Sequence, residues 1–130
     1  ENWTYPLIQP KLIEKYLRVK NNSIIGATVT VTVDRPLGSY HPEYKDMYYP
    51  INYGYIEGVM APDGEEQDAY ILGVNKPVGK FTGKIIAIVH RKDDIEEKWV
   101  VVPDGMMFSK DEIRQQLHFQ EQYFDSEIVM

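Results

Sequence analysis

Apolar and polar positions alternate most regularly between Ile24 and Asp34, where Ala27, Val29, Val31 and Val33 interleave with Thr28, Thr30 and Thr32. A period of two with β-branched residues is the mark of a strand buried on one face. Phe81–His90 reads as a strand of another kind, since Ile85, Ile86, Ala87, Ile88 and Val89 run apolar without a break, as a strand buried on both faces would. Asp68–Val74 precedes it, joined through Pro77 and Gly79, and Lys98–Val102 follows it, ended by Pro103, Asp104 and Gly105. Tyr48–Met60 is β-rich, but Pro50 and Gly54 make it an edge, a bend or a bulged segment. Helical spacing occurs twice. Leu12, Ile13, Tyr16 and Leu17 share a face in Lys11–Val19, behind Pro10. Ser109 followed by Glu112 forms a capping box for a helix through about Phe124, with Ile113, Leu117 and Phe124 toward the sheet. Residues 1–10, with Pro6 and Pro10, read as an extended arm. Arg35–Asp46, punctuated by Pro36, Gly38 and Pro42, reads as a loop, and Arg91–Glu97 as a charged turn.

These elements predict one domain over 1–130, with an arm and helix in 1–23, a barrel in 24–105 and a C-terminal helix in 109–124. The class is β-dominated α+β: a small closed β-barrel with a flanking N-terminal helix and a C-terminal helix, favoured over a βαβ sheet by several short strands separated by turns. There is no internal repeat or low-complexity segment.

Composition narrows the function classes. The chain of 130 residues is 43% hydrophobic and 26% charged, the balance of a soluble globular domain. No apolar run approaches the roughly 20 residues that cross a bilayer, and no basic-then-apolar leader is present, so the expectation is a cytoplasmic protein without a membrane span. There is no cysteine, which removes disulfides, thiolate metal sites and a thiol nucleophile. A net charge of −6 disfavours a nucleic-acid binder, including an oligonucleotide-binding barrel, but leaves room for a small phosphate whose charge is met by metal ions. Gly-rich phosphate loops and the Gly-x-Ser-x-Gly elbow are absent.

The chemistry concentrates between Tyr48 and Asp68. Tyr48, Tyr49, Tyr53 and Tyr55 surround Asn52 and Gly54, and beyond the turn at Pro62, Asp63 and Gly64 come Glu65, Glu66 and Asp68 with no basic residue among them. Carboxylates crowded in this way suit a hard divalent cation, and Asp63, Glu65 and Asp68 can converge on one or two ions where the turn enters its strand. A second acidic group, Asp93, Asp94, Glu96 and Glu97, leads into Lys98. Either group alone reads more simply as a solvated turn. The hydroxyls and amide beside the first supply donors for an anionic ligand, which a solvated turn does not need. Paired metals there would polarise a phosphoryl oxygen and activate a water. His41, His90 and His118 have no metal-ligand spacing; the nearest functional use is His41 beside a phosphate.

Tyr49-Pro50-Ile51-Asn52-Tyr53-Gly54-Tyr55-Ile56, followed by Asp63-Gly64-Glu65-Glu66-Gln67-Asp68, resembles the soluble family I inorganic pyrophosphatases. That family carries Tyr-Pro-x-Asn-Tyr-Gly-Tyr-Ile and then Asp-Gly-Asp-Pro-x-Asp. The resemblance continues through Lys98 and the Val-Val-Pro run after Trp99, and more weakly to Tyr123. It implies an OB-like barrel, dependence on magnesium (manganese as a substitute), hydrolysis of pyrophosphate to two phosphates, and assembly as a homo-oligomer. It places Asp63 and Asp68 at metal-binding carboxylates, Glu65 at the general base where the family has aspartate, and Tyr53 beside the attacking water. Asp68 also stands among the catalytic groups. Asp93, Asp94 and Glu96 fall where further metal ligands lie. Lys98 and Tyr123 match phosphate-binding positions, and Tyr49 belongs to the same substrate side. Phe124 replaces the lysine expected after Tyr123. The family's upstream cationic hairpin is absent, leaving Arg35, Lys45 or His41 to supply its charge. These departures motivate an alternative: a catalytically weakened module that binds phosphate or metal as a sensor or interaction protein.

Overall fold

A computed structural model describes residues 24–92 and 96–130. The arm and helix expected before residue 24 lie outside the described residues. The alternating Thr/Val segment forms β1 (Thr28–Arg35), followed by β2 (Asn52–Met60), β3 (Glu66–Ile71), β4 (Lys80–Arg91), β5 (Glu97–Val102), helix α1 (Lys110–Glu121) and β6 (Ser126–Val129). The strands pair in the order β1-β2-β3-β5-β4, and β1 pairs again with β4, which closes a five-stranded barrel. Among the described strands only β3 and β5 run parallel, with Asp68 opposite Lys98. The other pairings are antiparallel.

Every barrel strand sends side chains to one interior cluster: Val31, Ile56, Ala69, Ile71, Ile85, Ile88, Trp99 and Val101. A second cluster lies on the outer face. There Tyr70, Leu72, Val89, Val100 and Val102 meet Ile113 and Leu117 of α1. The expected uniform burial of Ile85–Val89 arises from a bulge. Ile85 pairs with Val101 and Ala87 with Val100, so Ile86 is the extra residue, and Ile85 and Ile88 face inward while Ile86, Ala87 and Val89 face the helix.

The irregularity expected around Gly54 has a definite cause. A Cβ at Gly54 would lie 1.9 Å from the Thr32 carbonyl oxygen, so only glycine lets β1 and β2 approach this closely. The β1–β2 register also slips by one residue at Asp34, which brings Arg35 opposite Tyr53.

Helix α1 begins at the anticipated capping box. Ser109 Oγ accepts from the Glu112 amide (3.1 Å) and Glu112 Oε1 accepts from the Ser109 amide (2.8 Å). Ser109→Ala is expected to cost about 1 kcal/mol; a urea midpoint unchanged from wild type would show that the cap contributes nothing. The helix stops at Glu121, earlier than expected, because the chain turns into β6, a strand that the hydrophobic pattern does not reveal. Gln120 therefore takes the third buried position of the helix, and Phe124 lies beyond its end. Among the described residues no helix is long and apolar enough to cross a membrane.

Candidate active site

Residues of all five barrel strands and the far end of α1 surround a cavity of ≈ 710 Å³. Its wall takes Asp34 and Arg35 from β1, Tyr53 from β2, Asp68 from β3, Arg91 from β4, Glu96 and Lys98 around the start of β5, and Gln120 from α1. His41, Tyr44 and Met47 contribute from the β1–β2 loop, and Tyr123 and Phe124 from the turn after α1.

Register explains the central group. Asp68 and Lys98 are direct neighbours across the parallel pair, and Tyr53, opposite Tyr70 on β3, reaches Asp68 diagonally on the same face. Asp68 Oδ2 accepts from the Tyr53 hydroxyl (3.0 Å) and from Lys98 Nζ (2.6 Å). Lys98 also donates to Glu96 Oε2. Lys98 is only 3% exposed. Burial works against its ammonium, but Tyr53 and the two carboxylates outweigh that and hold its pKa above the ordinary value. Burial drives the Tyr53 phenol upward, so at neutral pH it stays protonated and acts as a donor to Asp68.

A chain of hydrogen bonds beneath the cavity ties this group to α1. Arg35 Nη1 donates to the Tyr49 hydroxyl (2.8 Å), which donates to Gln120 Oε1 (2.9 Å). Gln120 Nε2 donates to the Tyr70 hydroxyl (2.7 Å), which donates to Glu121 Oε2 (2.5 Å). Glu121 receives Arg91 through Nε (3.2 Å) and Nη2 (2.8 Å), and Arg91 Nη1 reaches Glu96 Oε1 (3.1 Å). Burial alone would raise the Glu121 carboxyl, but hydrogen bonds from Arg91, Ser126 and Tyr70 bring it below the usual carboxylate value. His41 Nδ1 accepts from the amides of Glu43 (3.0 Å) and Tyr44 (3.2 Å), which puts the ring proton on Nε2. Burial and the nearby Arg35 lower its pKa, so it is neutral at pH 7.

Of the residues singled out from the sequence, Arg35, Tyr53, Asp68, Glu96, Lys98 and Tyr123 share this one cavity. Tyr49 is fully buried behind it, holding Arg35. Asp63, Glu65 and Lys45 are exposed and lie outside the cavity wall. Asp63 Oδ1 accepts from the Glu65 amide (3.0 Å), so part of that acidic cluster shapes its own turn. Asp93 and Asp94 lie outside the described residues. Sequence reasoning passed over Asp34, Arg91, Gln120 and Glu121. Two of them carried a usable signal: Arg91 continues the Ala87, Val89 alternation, and Gln120 follows Ile113 and Leu117 at helical spacing.

Among the described residues no three carboxylates or histidines gather as a metal cage. What the wall offers instead is Asp68, whose Oδ1 takes no hydrogen bond from a described residue, with Glu96 nearby. That donor set suits a magnesium-type ion, which uses one or two carboxylates and completes its shell with water and substrate phosphate.

A family model described as inorganic pyrophosphatase matches residues 19–125. An inorganic pyrophosphatase of Halalkalibacterium halodurans is 28% identical over 103 residues, which is 74% of this chain and 61% of that protein. The chain thus spans less than two thirds of that relative's length. The inorganic pyrophosphatase structure from Ehrlichia chaffeensis superposes with a TM-score of 0.60 at 19% identity, covering 79% of this chain and 85% of that one. The one from Neisseria gonorrhoeae gives a TM-score of 0.58 at 18% identity, covering 75% and 74%. At these identities the structural likeness shows a shared fold.

Proposed function

Because this chain belongs to the inorganic pyrophosphatase family, we propose that its cavity hydrolyses the phosphoanhydride bond of a diphosphate, as in the conversion of inorganic pyrophosphate to two phosphates. The observation that carries this is the Asp68 carboxylate, held between Tyr53 and Lys98 on a cavity wall that also carries Arg35.

Each residue has a task that its surroundings suit. Arg35, braced by Tyr49, orients a phosphate through its remaining donors. Lys98 supplies positive charge beside the reacting group. Tyr53 and Lys98 occupy Oδ2 of Asp68, which leaves Oδ1 to orient or deprotonate the attacking water. In this reading the proton goes to Asp68 rather than to Glu65, which is exposed on the turn outside the cavity. Magnesium, or manganese in its place, would be held by Asp68 and Glu96; the family resemblance adds Asp93 and Asp94 as further carboxylates. When bound, such an ion neutralises phosphate charge and makes water more acidic.

The pairing of Lys98 and Arg91 with carboxylates favours one competing reading, a module that binds phosphate or metal without hydrolysis. Phosphate release from pyrophosphate by the full chain, with magnesium and then with a chelator, separates the two. Hydrolysis needs magnesium-dependent release. Calorimetric binding without release would instead support the module.

A further inference from the structure

Gln115 and Gln116 of α1 reach solvent, whereas Gln120 is buried. It stands on the face that Ile113 and Leu117 make apolar, where a hydrocarbon side chain would cost nothing to desolvate. An amide there is costly unless its donor and acceptor both find partners. Both do: Oε1 accepts from the Tyr49 hydroxyl (2.9 Å) and Nε2 donates to the Tyr70 hydroxyl (2.7 Å).

The direction of these bonds follows from the charged groups at their ends. Arg35 has only donors, so the Tyr49 oxygen accepts from it and the Tyr49 proton must go to Gln120 Oε1. The amide then turns Nε2 to Tyr70, whose own proton goes to the Glu121 carboxylate. A side chain with one acceptor on one side and one donor on the other is what the gap requires. Leucine at this position would fill the space and meet neither hydroxyl.

Arg35 depends on this arrangement. Its one side-chain hydrogen bond to a described residue goes to the Tyr49 hydroxyl. The Tyr49 ring is fully buried, edge-on to Phe119 with centroids 5.3 Å apart and 5.8 Å from Tyr53, so the ring cannot move to follow the guanidinium. What remains free is rotation of the hydroxyl about its C–O bond. The acceptor at Gln120 Oε1 fixes that rotation and leaves a lone pair aimed at Arg35. Gln120 also lines the cavity, but the amide's oxygen and nitrogen are each engaged by a tyrosine hydroxyl, so its hold on the site runs through Tyr49.

We propose that Gln120 is a positioning residue for the reaction: by taking the Tyr49 proton it sets the hydroxyl that holds Arg35, and so places the guanidinium that receives a phosphate of the substrate. This inference rests on the hydrolase reading above.

The test measures kcat and KM for inorganic pyrophosphate with the full chain in magnesium. Arg35 holds the phosphate in the ground state as in the transition state, so misplacing it should raise KM and leave kcat within about twofold. Gln120→Leu should raise KM about tenfold, the scale of one hydrogen bond to a charged group. Gln120→Glu keeps an oxygen for the Tyr49 proton and should hold KM near wild type. Tyr49→Phe deletes the link itself and should match Gln120→Leu, and combining the two should raise KM no further, because both act on one chain of contacts. A Gln120 that only supports the fold would lower Tm in Gln120→Leu and leave KM unmoved, which overturns the inference, as does a further rise in the double variant. Should Gln120→Leu not fold, an unchanged KM in Tyr49→Phe or a rise in Gln120→Glu equal to that in Tyr49→Phe overturns it. Phosphate release absent from the wild-type chain overturns the hydrolase reading itself.

Discussion

Asp68→Asn should lower phosphate release about 100- to 1,000-fold, the range for removal of one pre-organised electrostatic partner. Asparagine keeps the shape of the side chain and the acceptor that the Tyr53 hydroxyl needs, so the barrel should stay folded. The negative charge is what disappears. Lys98, nearly enclosed, would be left with Glu96 as its one carboxylate partner, and the oxygen assigned to the water would lose most of its basicity. The variant isolates charge from packing, so near-ultraviolet circular dichroism should match wild type while kcat collapses. Turnover within twofold of wild type would remove Asp68 from the centre of the site.

Glu121→Ala should destabilise the fold by about 3–5 kcal/mol, the cost of leaving a buried charge without its main partner. Arg91 is 4% exposed and gives Glu121 two of its donors. The Tyr70 and Ser126 hydroxyls would lose their acceptor at the same time. Against a total stability of about 5–15 kcal/mol, that is a large share. The loss has a pH signature. The folded-state pKa of Glu121 lies below its ordinary value, so its contribution is complete above the ordinary carboxylate pKa and fades as pH falls through the folded value. Wild type should therefore lose Tm on the acid side faster than Glu121→Ala does. Parallel acid limbs, or a urea-derived loss under about 1 kcal/mol, would show that Arg91 is held by other means.

Local chemistry made some parts of this molecule legible and left others hidden. The Thr/Val alternation of β1 and the Ser109–Glu112 cap are decided within a few residues, and both stand where the pattern puts them. Strand β6 is too short for a period to show, with Ile128 its one buried residue. The run of short strands and turns points to a closed barrel, but the order of its strands and the parallel β3–β5 pair depend on contacts between distant segments, about which alternation says nothing. At the site, Tyr53, Asp68 and Lys98 stood out by residue type, and strand register brings them together. Asp63 and Glu65 stood out as strongly, yet the turn at Pro62–Gly64 leaves them exposed outside the cavity wall. Gln120 and Glu121 look like the ordinary polar end of an amphipathic helix. Only the packing of α1 on the barrel buries the first and sets the second against Arg91.

The seam that closes the barrel also governs how the chain reaches its native state. β1 and β4 meet through pairs such as Thr30 and Thr82, whose hydroxyls lie 2.8 Å apart across 52 residues of chain. The entropy of closing so long a loop is spent before the seam returns any favourable contact. Refolding accordingly belongs with the slow, milliseconds-to-seconds class of closed β-barrels rather than with helical bundles. Until the seam zips, both strands expose unpaired backbone edges to neighbouring chains, and dilute conditions favour the monomolecular route over association.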